Sequence, residues 1–431
     1  MDEHTHSHAR GPAVTSEQAR RILGAVVGAI ALLAIVGMFV MRPDGDRPDL
    51  AEELGMSAEI VDATVLAVTE LPCNGTAPED GIRCRVVDFE VTSGSTEGTE
   101  ASFELPITEA SVVLDDGDDI TLAHQPQSEA GFQYFFNDFQ RRTPLWTLAA
   151  AFAIAVLALG RLQGLRALVA LAVTGVVMVG FMFPSILDGH DPTAVALVAA
   201  ALIAIVALYL THGITEMITV ALLGTFAALG LTAILAAVFS NLAHFTGLAT
   251  EDAFYLTIAS ADVDIRGLVL AGIIIGSLGV LDDVTVTQVS AVWQLHAANP
   301  TYTARQLYAS GVVIGRDHIA STVNTLVLAY AGASLPLLLV FTQAGRGLGT
   351  VAEGELVAVE IVRTLVGSIG LVAAVSLTTA LAAFIVTRGS TLAPARRPEP
   401  PPRRRPIRPE RPAPSHGEPD WDQFAPEERD W

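Results

Sequence analysis

The chain has 431 residues, of which 51% are hydrophobic and 16% charged, and its formal net charge is −21 at pH 7. That hydrophobic share is unusual for a soluble protein and makes a membrane protein the first reading. The acids are concentrated in 44–138, accompanied only by Arg42, Arg47, Arg83 and Arg85, so the charge describes one exposed region of a membrane protein.

Residues 1–21 are polar and read as a disordered tail, in which His4, His6 and His8 alternate in a pattern able to scavenge a transition metal. Arg20 and Arg21 precede an apolar run over 22–41. At about 1.5 Å per residue such a run crosses a hydrocarbon core of roughly 30 Å. MFVMRPDGD offers no small-residue cleavage site, so the run reads as an uncleaved anchor rather than a signal peptide.

Over 48–138 the pattern changes to short alternating runs, VDATVLAV, RCRVVDFEVTSG, ASFELPI and DDITLAH, separated by Gly, Pro and acidic turns. This predicts a small antiparallel β domain, a barrel of about five strands of the OB or SH3 kind. Cys73 and Cys84 both fall in it. If the domain lies outside the cytoplasm they are candidates for one disulfide, and otherwise they are two free thiols. The turn DDGDD, Asp115 to Asp119, lacks the ligand spacing of a helical calcium loop and is expected to be a solvated turn.

Seven further apolar runs follow, at 145–160, 167–187, 193–210, 217–240, 267–291, 319–341 and 363–387. With the anchor they make about eight spans, an all-α polytopic helix bundle over 145–387 with both chain ends on one side. Placing that side in the cytoplasm puts Arg20, Arg21, Arg161, Arg166, Arg305, Arg316 and the Arg-rich tail inside, as the positive-inside rule favours. The β domain is then extracytoplasmic. The tail over 391–431 is Pro- and Arg-rich and reads as disordered, touching anionic lipid or serving only as a topology signal.

The run GSLGVLDDVTVTQVS places Asp282 and Asp283 inside a span, where each carboxylate costs about 2.5–3.5 kcal/mol at the bilayer centre. Gly272, Gly276, Gly279, Asp283, Thr287 and Ser290 follow at helical spacing, so they share one face. That face is expected to meet protein or water, its glycines allowing a close helix crossing or a helix break, while Ile273, Ile274 and Leu281 turn to lipid. Asp282, Asp283 and Thr287 are therefore candidates to bind a proton or a metal cation, with Asp283 preferred, and the alternative is a structural pair hydrogen-bonded to nearby hydroxyls. In GVVIGRDHIASTVNTL, Asp317, His318, Ser321 and Asn324 form two polar faces that suggest a cavity lining or a helix cap. Before it, Thr303 and Gln306 have capping-box spacing in what reads as a short interfacial helix.

YLTHGIT, RGLVLAGIIIGSLGVLDDVTVTQVSAVWQL, IGRDHIASTVNTLVLAYAGASLPLLL and EIVRTLVGSIGLVAAVSLTTALAA closely resemble the YibE/F-like family of bacterial multi-pass membrane proteins. The resemblance implies an integral protein of the bacterial cytoplasmic membrane with an N-terminal anchor and a small extracytoplasmic domain. It carries over neither a substrate nor a catalytic residue.

The intramembrane carboxylates point to a transporter or permease for a cation, proton or divalent metal, or for a proton-coupled solute. The alternative is a non-enzymatic envelope scaffold or assembly protein whose β domain binds a partner. An enzyme is not expected, because there is no GxSxG or HExxH motif and adjacent helical aspartates point about 100° apart. No cofactor is expected beyond a divalent metal cation at Asp282 and Asp283. The expected partners are the lipid bilayer, a second copy of the chain, or an envelope component on the β domain, and no nucleic acid.

Overall fold

A computed structural model describes residues 17–43, 58–73, 83–109, 111–128, 133–259, 262–343, 345 and 347–390. The tail with His4, His6 and His8, the start of the acidic region, the loop between the two cysteines and the Arg-rich tail lie outside the described residues.

Alternating apolar and β-branched residues build five strands: β1 Glu59–Pro72, β2 Arg83–Val91, β3 Glu100–Pro106, β4 Asp119–His124 and β5 Tyr134–Phe139. They form one antiparallel sheet in the order β3-β2-β1-β4-β5. The first half of β1 pairs with β4 and the second with β2, and a bulge between Val65 and Ala67 bends the strand where its partners change. The sheet curls until Phe103 of β3 and Phe136 of β5 stand 6.3 Å apart. Val61, Val65, Val87, Phe89, Ile120 and Leu122 fill the curl and are buried. Each such side chain stabilises the fold by about 1.5–3 kcal/mol.

Cys73 and Cys84 are disulfide-bonded, eleven residues apart in sequence, at the end of the β1–β2 ladder. Replacing both by serine removes a cross-link worth about 3 kcal/mol in loop-closure terms. Amide exchange along β1 and β2 of the full chain is expected to accelerate, while the helices keep their protection.

The acidic turn uses its carboxylates locally. Asp118 accepts from the Asp115 N–H, Asp116 from the Val68 N–H and Asp119 from the Thr64 hydroxyl. Glu59 straps the β2–β3 connection to β1: one carboxyl oxygen accepts the Ser95 N–H at 2.8 Å and the other accepts the Ser95 hydroxyl. That hydroxyl, and then the N–H, hold the Glu59 carboxyl below its ordinary value of 4.5. A depressed value means the strap is fully present above pH 4.5 and is lost as pH falls through the lower folded value. The Ser95 amide should exchange faster in acid than its neighbours, and Glu59→Gln should remove that pH dependence.

The remaining elements are helices: α1 Glu17–Val40, α2 Arg142–Val177, a single π turn Met178–Met182, α3 Phe183–Leu187, α4 Pro192–His212, α5 Glu216–Leu242, α6 Glu251–Ala259, α7 Ile265–Ala298, α8 Ala304–Ala333, α9 Leu335–Gln343, α10 Leu348–Glu353 and α11 Glu355–Ser390. Among the described residues, six helical runs are long and apolar enough to cross a membrane: α1, Arg142–Leu187, α4, α5, α7 and α11. The pair α8 and α9, bent by 63°, makes a seventh. The chain is a multi-pass membrane protein with a small curled antiparallel sheet.

The expected count of about eight differs because 145–160 and 167–187 fall in one helical run, α2 to α3. That run is not straight. Arg161 has φ 50 and ψ −126, and a Cβ on Gly164 would overlap the Val156 carbonyl oxygen. Eight residues along a continuous helix are about 12 Å apart, so the chain doubles back here.

Two expectations are corrected. α7 continues unbroken past its glycines to Ala298, because the intrahelical ladder needs no side chain at those positions. The capping box of Thr303 and Gln306 is present, but it starts α8 itself instead of a separate interfacial helix.

α5, α7 and α11 form the centre of the bundle, with α4 against α7, α1 against α4 and α8 against α11. Thr232 of α5 abuts Gly370 of α11, and Gly224 abuts Thr378, so these two helices are antiparallel and nearly in backbone contact. At the start of α11, Glu355 accepts the N–H groups of Thr246 and Gly247 at 2.7 and 2.6 Å, tying α11 to the loop after α5. Arg142 at the start of α2 pairs with Asp62 of β1 at 3.2 Å, joining sheet and bundle.

Candidate functional site

α7 has no dominant apolar face in its sequence, and its neighbours select the one that is buried: Ile273, Ile274, Leu278, Leu281, Val284 and Thr285. Asp282 lies at the middle of this helix and turns to the bundle, its carboxyl beside the Thr225 hydroxyl of α5. Thr225 and Thr285 bond to one another across the α5–α7 interface at 2.7 Å, and Thr285 also donates to the Asp282 carbonyl at 3.1 Å. Asp282 Oδ1 is enclosed and has no hydrogen-bond partner among the described residues. A carboxylate so placed is stable only when a proton or a cation neutralises it.

The neighbouring carboxylate goes elsewhere. Asp283 and Thr287 are exposed, as are Gly272, Gly276 and Gly279, while Ile273, Ile274 and Leu281 are buried. The expected facing of α7 is thus reversed, because packing against α4, α5 and α11 buries the large aliphatic face and not the small one. Thr287 spends its hydroxyl on its own helix, on the Asp283 and Val284 carbonyls. The glycines are not a helix crossing: nothing lies within 4 Å of a Cβ placed on Gly279, and on Gly276 it would meet only the Tyr330 hydroxyl, at 3.3 Å. With their side chains diverging, Asp282 and Asp283 do not form one chelate. No group of three or more His, Cys, Asp or Glu placed to hold a metal exists among the described residues.

Residues 148–388 match the family described as YibE/F-like protein. The chain belongs to the YibE/F-like family. No curated protein and no solved structure matches it. All the intramembrane residues discussed above lie within the YibE/F-like region, and the curled sheet lies before it.

The YibE/F-like bundle holds α8 chiefly at its start, where Leu307, Gly311 and Gly315 are buried. A Cβ on Gly311 would lie 2.7 Å from a Thr379 methyl, and the Gln288 amide donates to the Gly311 carbonyl at 2.6 Å. Beyond Gly315 the helix still packs on α7 and α11 through Ile319 and Val323, which lie against Val284, Leu371 and Val375. Asp317, Ser321 and Asn324 are exposed, and His318 is half-buried with Nε2 enclosed and unpartnered among the described residues. Asp317, Ser321 and Asn324 therefore line an outward face rather than a closed cavity, and His318 alone of the four turns inward.

The residues that do meet Asp282, Thr225 and Thr285, were not singled out as site candidates, nor was Gln288. The available signal was a hydroxyl or amide isolated in an apolar run, as in ALLGTFAALG. It is weak, because Thr in a span commonly bonds back to its own helix, as Thr225 does to Ala221.

Proposed function

We propose that this YibE/F-like protein is a transporter or permease in which Asp282 takes up and releases a cation, the proton foremost. The enclosed, unpartnered Oδ1 of Asp282 at the middle of α7 carries this reading. A group that must be neutralised where it sits couples its occupancy to any change in the packing around it, which is what an ion-driven carrier requires. One inward carboxyl with hydroxyl neighbours suits a proton better than a divalent metal, which seeks four or more converging ligands. In this reading the protein is not an enzyme.

The reversal at Arg161 supports counting α2 as two spans, which restores eight and keeps both chain ends cytoplasmic. The sheet then faces the outside of a bacterial cytoplasmic membrane, where a disulfide persists. Its strand order and meeting edges support a five-stranded barrel of the OB or SH3 kind.

The test is reconstitution of the full chain in liposomes enclosing a pH-sensitive dye. Under an imposed membrane potential the protein is expected to move protons at a rate above empty liposomes. An unchanged internal pH, together with full activity of an Asp282→Asn variant in cells, would turn the assignment to an envelope scaffold anchored by its helices.

A further inference from the structure

Arg363 lies about two turns into α11, in an otherwise apolar stretch. Its Nη1 donates to Glu360 at 2.6 Å, and its guanidinium carbon stands 6.0 Å from the centre of the Tyr330 ring. Nη2 reaches toward α7, 3.5 Å from the Cβ position of the exposed Gly272. Nε is enclosed and has no hydrogen-bond partner among the described residues. The Nε–Nη2 edge of a guanidinium is a fork that grips an oxyanion through two parallel N–H bonds, and here Glu360 occupies only the other end. The Tyr330 hydroxyl also reaches α7, 3.3 Å from the Cβ position of Gly276, one turn along from Gly272.

Beside this cluster is a cavity of about 400 Å³ with walls from Val327, Leu338, Val357, Ile361 and Leu365, and with Tyr330 and Glu360 on its polar side. Val327, Ile361 and Leu365 are also exposed on the outside of the bundle, so the cavity opens where the bilayer hydrocarbon lies. Tyr330 and Glu360 belong to both features: they wall the cavity and flank the guanidinium.

We infer that this is a binding site for a phospholipid of the surrounding bilayer, with an acyl chain in the cavity and the phosphate on the Nε–Nη2 edge of Arg363. Glu360 is a positioning residue that holds the guanidinium turned. The apolar walls match the chain, and the phosphate satisfies a buried donor that the protein leaves unpaired. The inference is independent of what Asp282 carries.

The full chain, purified and stripped of lipid in detergent, would be mixed with dioleoyl phosphatidylglycerol, with dioleoylglycerol, which has the same chains and no phosphate, or with inorganic phosphate. Native mass spectrometry and the melting temperature would be read together. Phosphatidylglycerol should be retained several-fold better than dioleoylglycerol and should raise the melting temperature, while inorganic phosphate alone should not. Ala331 also lines the cavity; Ala331→Trp, which fills it, and the pair Glu360→Gln with Arg363→Gln, which removes both charges together, should each reduce phosphatidylglycerol retention several-fold. Melting without lipid shows whether each variant is folded, and Arg363→Lys, which keeps the charge and loses the fork, replaces the pair if it is not. Equal retention of the two lipids, undiminished retention in the folded variants, or a full shift with inorganic phosphate alone would overturn the inference.

Discussion

Asp282→Asn, in the full chain reconstituted into liposomes, is expected to slow cation flux by more than about tenfold, since a barrier increase of only ~1.4 kcal/mol suffices for that. Asn keeps the shape and the neighbouring hydroxyls Thr225 and Thr285 but cannot take up and release a proton. Asp283→Asn should leave flux within a small factor of wild type, because this side chain is exposed and directed away from the α5–α7 interface. If the exposed side is covered by lipid, removing its charge relieves part of an insertion penalty of about 2.5–3.5 kcal/mol, the carboxamide keeping the rest, so this variant should be as stable as wild type or more so. Dye-reported flux in liposomes, with the amount of monodisperse protein measured for each variant, separates the two positions. Loss of flux in Asp283→Asn with retention in Asp282→Asn would reverse the assignment.

Gly370→Ala is expected to destabilise the bundle by about 1–3 kcal/mol, the usual penalty for overpacking a close-fitting interior. The new Cβ would overlap Thr232 Oγ1, and the next atom it would meet is the Thr232 Cβ at 3.4 Å. Truncating that neighbour should therefore restore the fit. Thr232→Ala with Gly370→Ala should recover most of the loss, so a double-mutant cycle on thermal unfolding in micelles should give a coupling of the same size. Gly279→Ala is the contrast: nothing lies within 4 Å of its Cβ position, and Ala is favoured over Gly in a helix, so this change should be neutral or stabilising. Equal destabilisation at Gly279 and Gly370 would mean that the small-residue face of α7, and not the α5–α11 contact, is the tight interface.

Much of the architecture follows from local pattern. The lengths of the apolar runs place helices α4, α5, α7 and α11, alternation places the strands, and the Thr303 and Gln306 spacing places the start of α8. The carboxylate in the middle of α7 is likewise visible as a charge in an apolar run. What local pattern does not contain is the partner of a polar side chain on another helix. Thr225 lies 60 residues from Thr285, and nothing near either one marks the hydrogen bond between them. Arg363 of α11 meets Tyr330 of α8 and Gly272 of α7, two helices that the chain order does not bring to it.

The sequence by itself determined that this chain is a multi-pass membrane protein with a β domain after its first span, because burying apolar runs and alternating strands requires only hydropathy and period. It also held the YibE/F-like family resemblance. Only the tertiary structure decided which way α7 faces, and hence that Asp282 rather than Asp283 enters the bundle. Large aliphatic residues and a stripe of small and polar ones both run along α7, so local pattern offers two faces to bury, and the choice falls to the neighbours that pack against it, α4, α5 and α11.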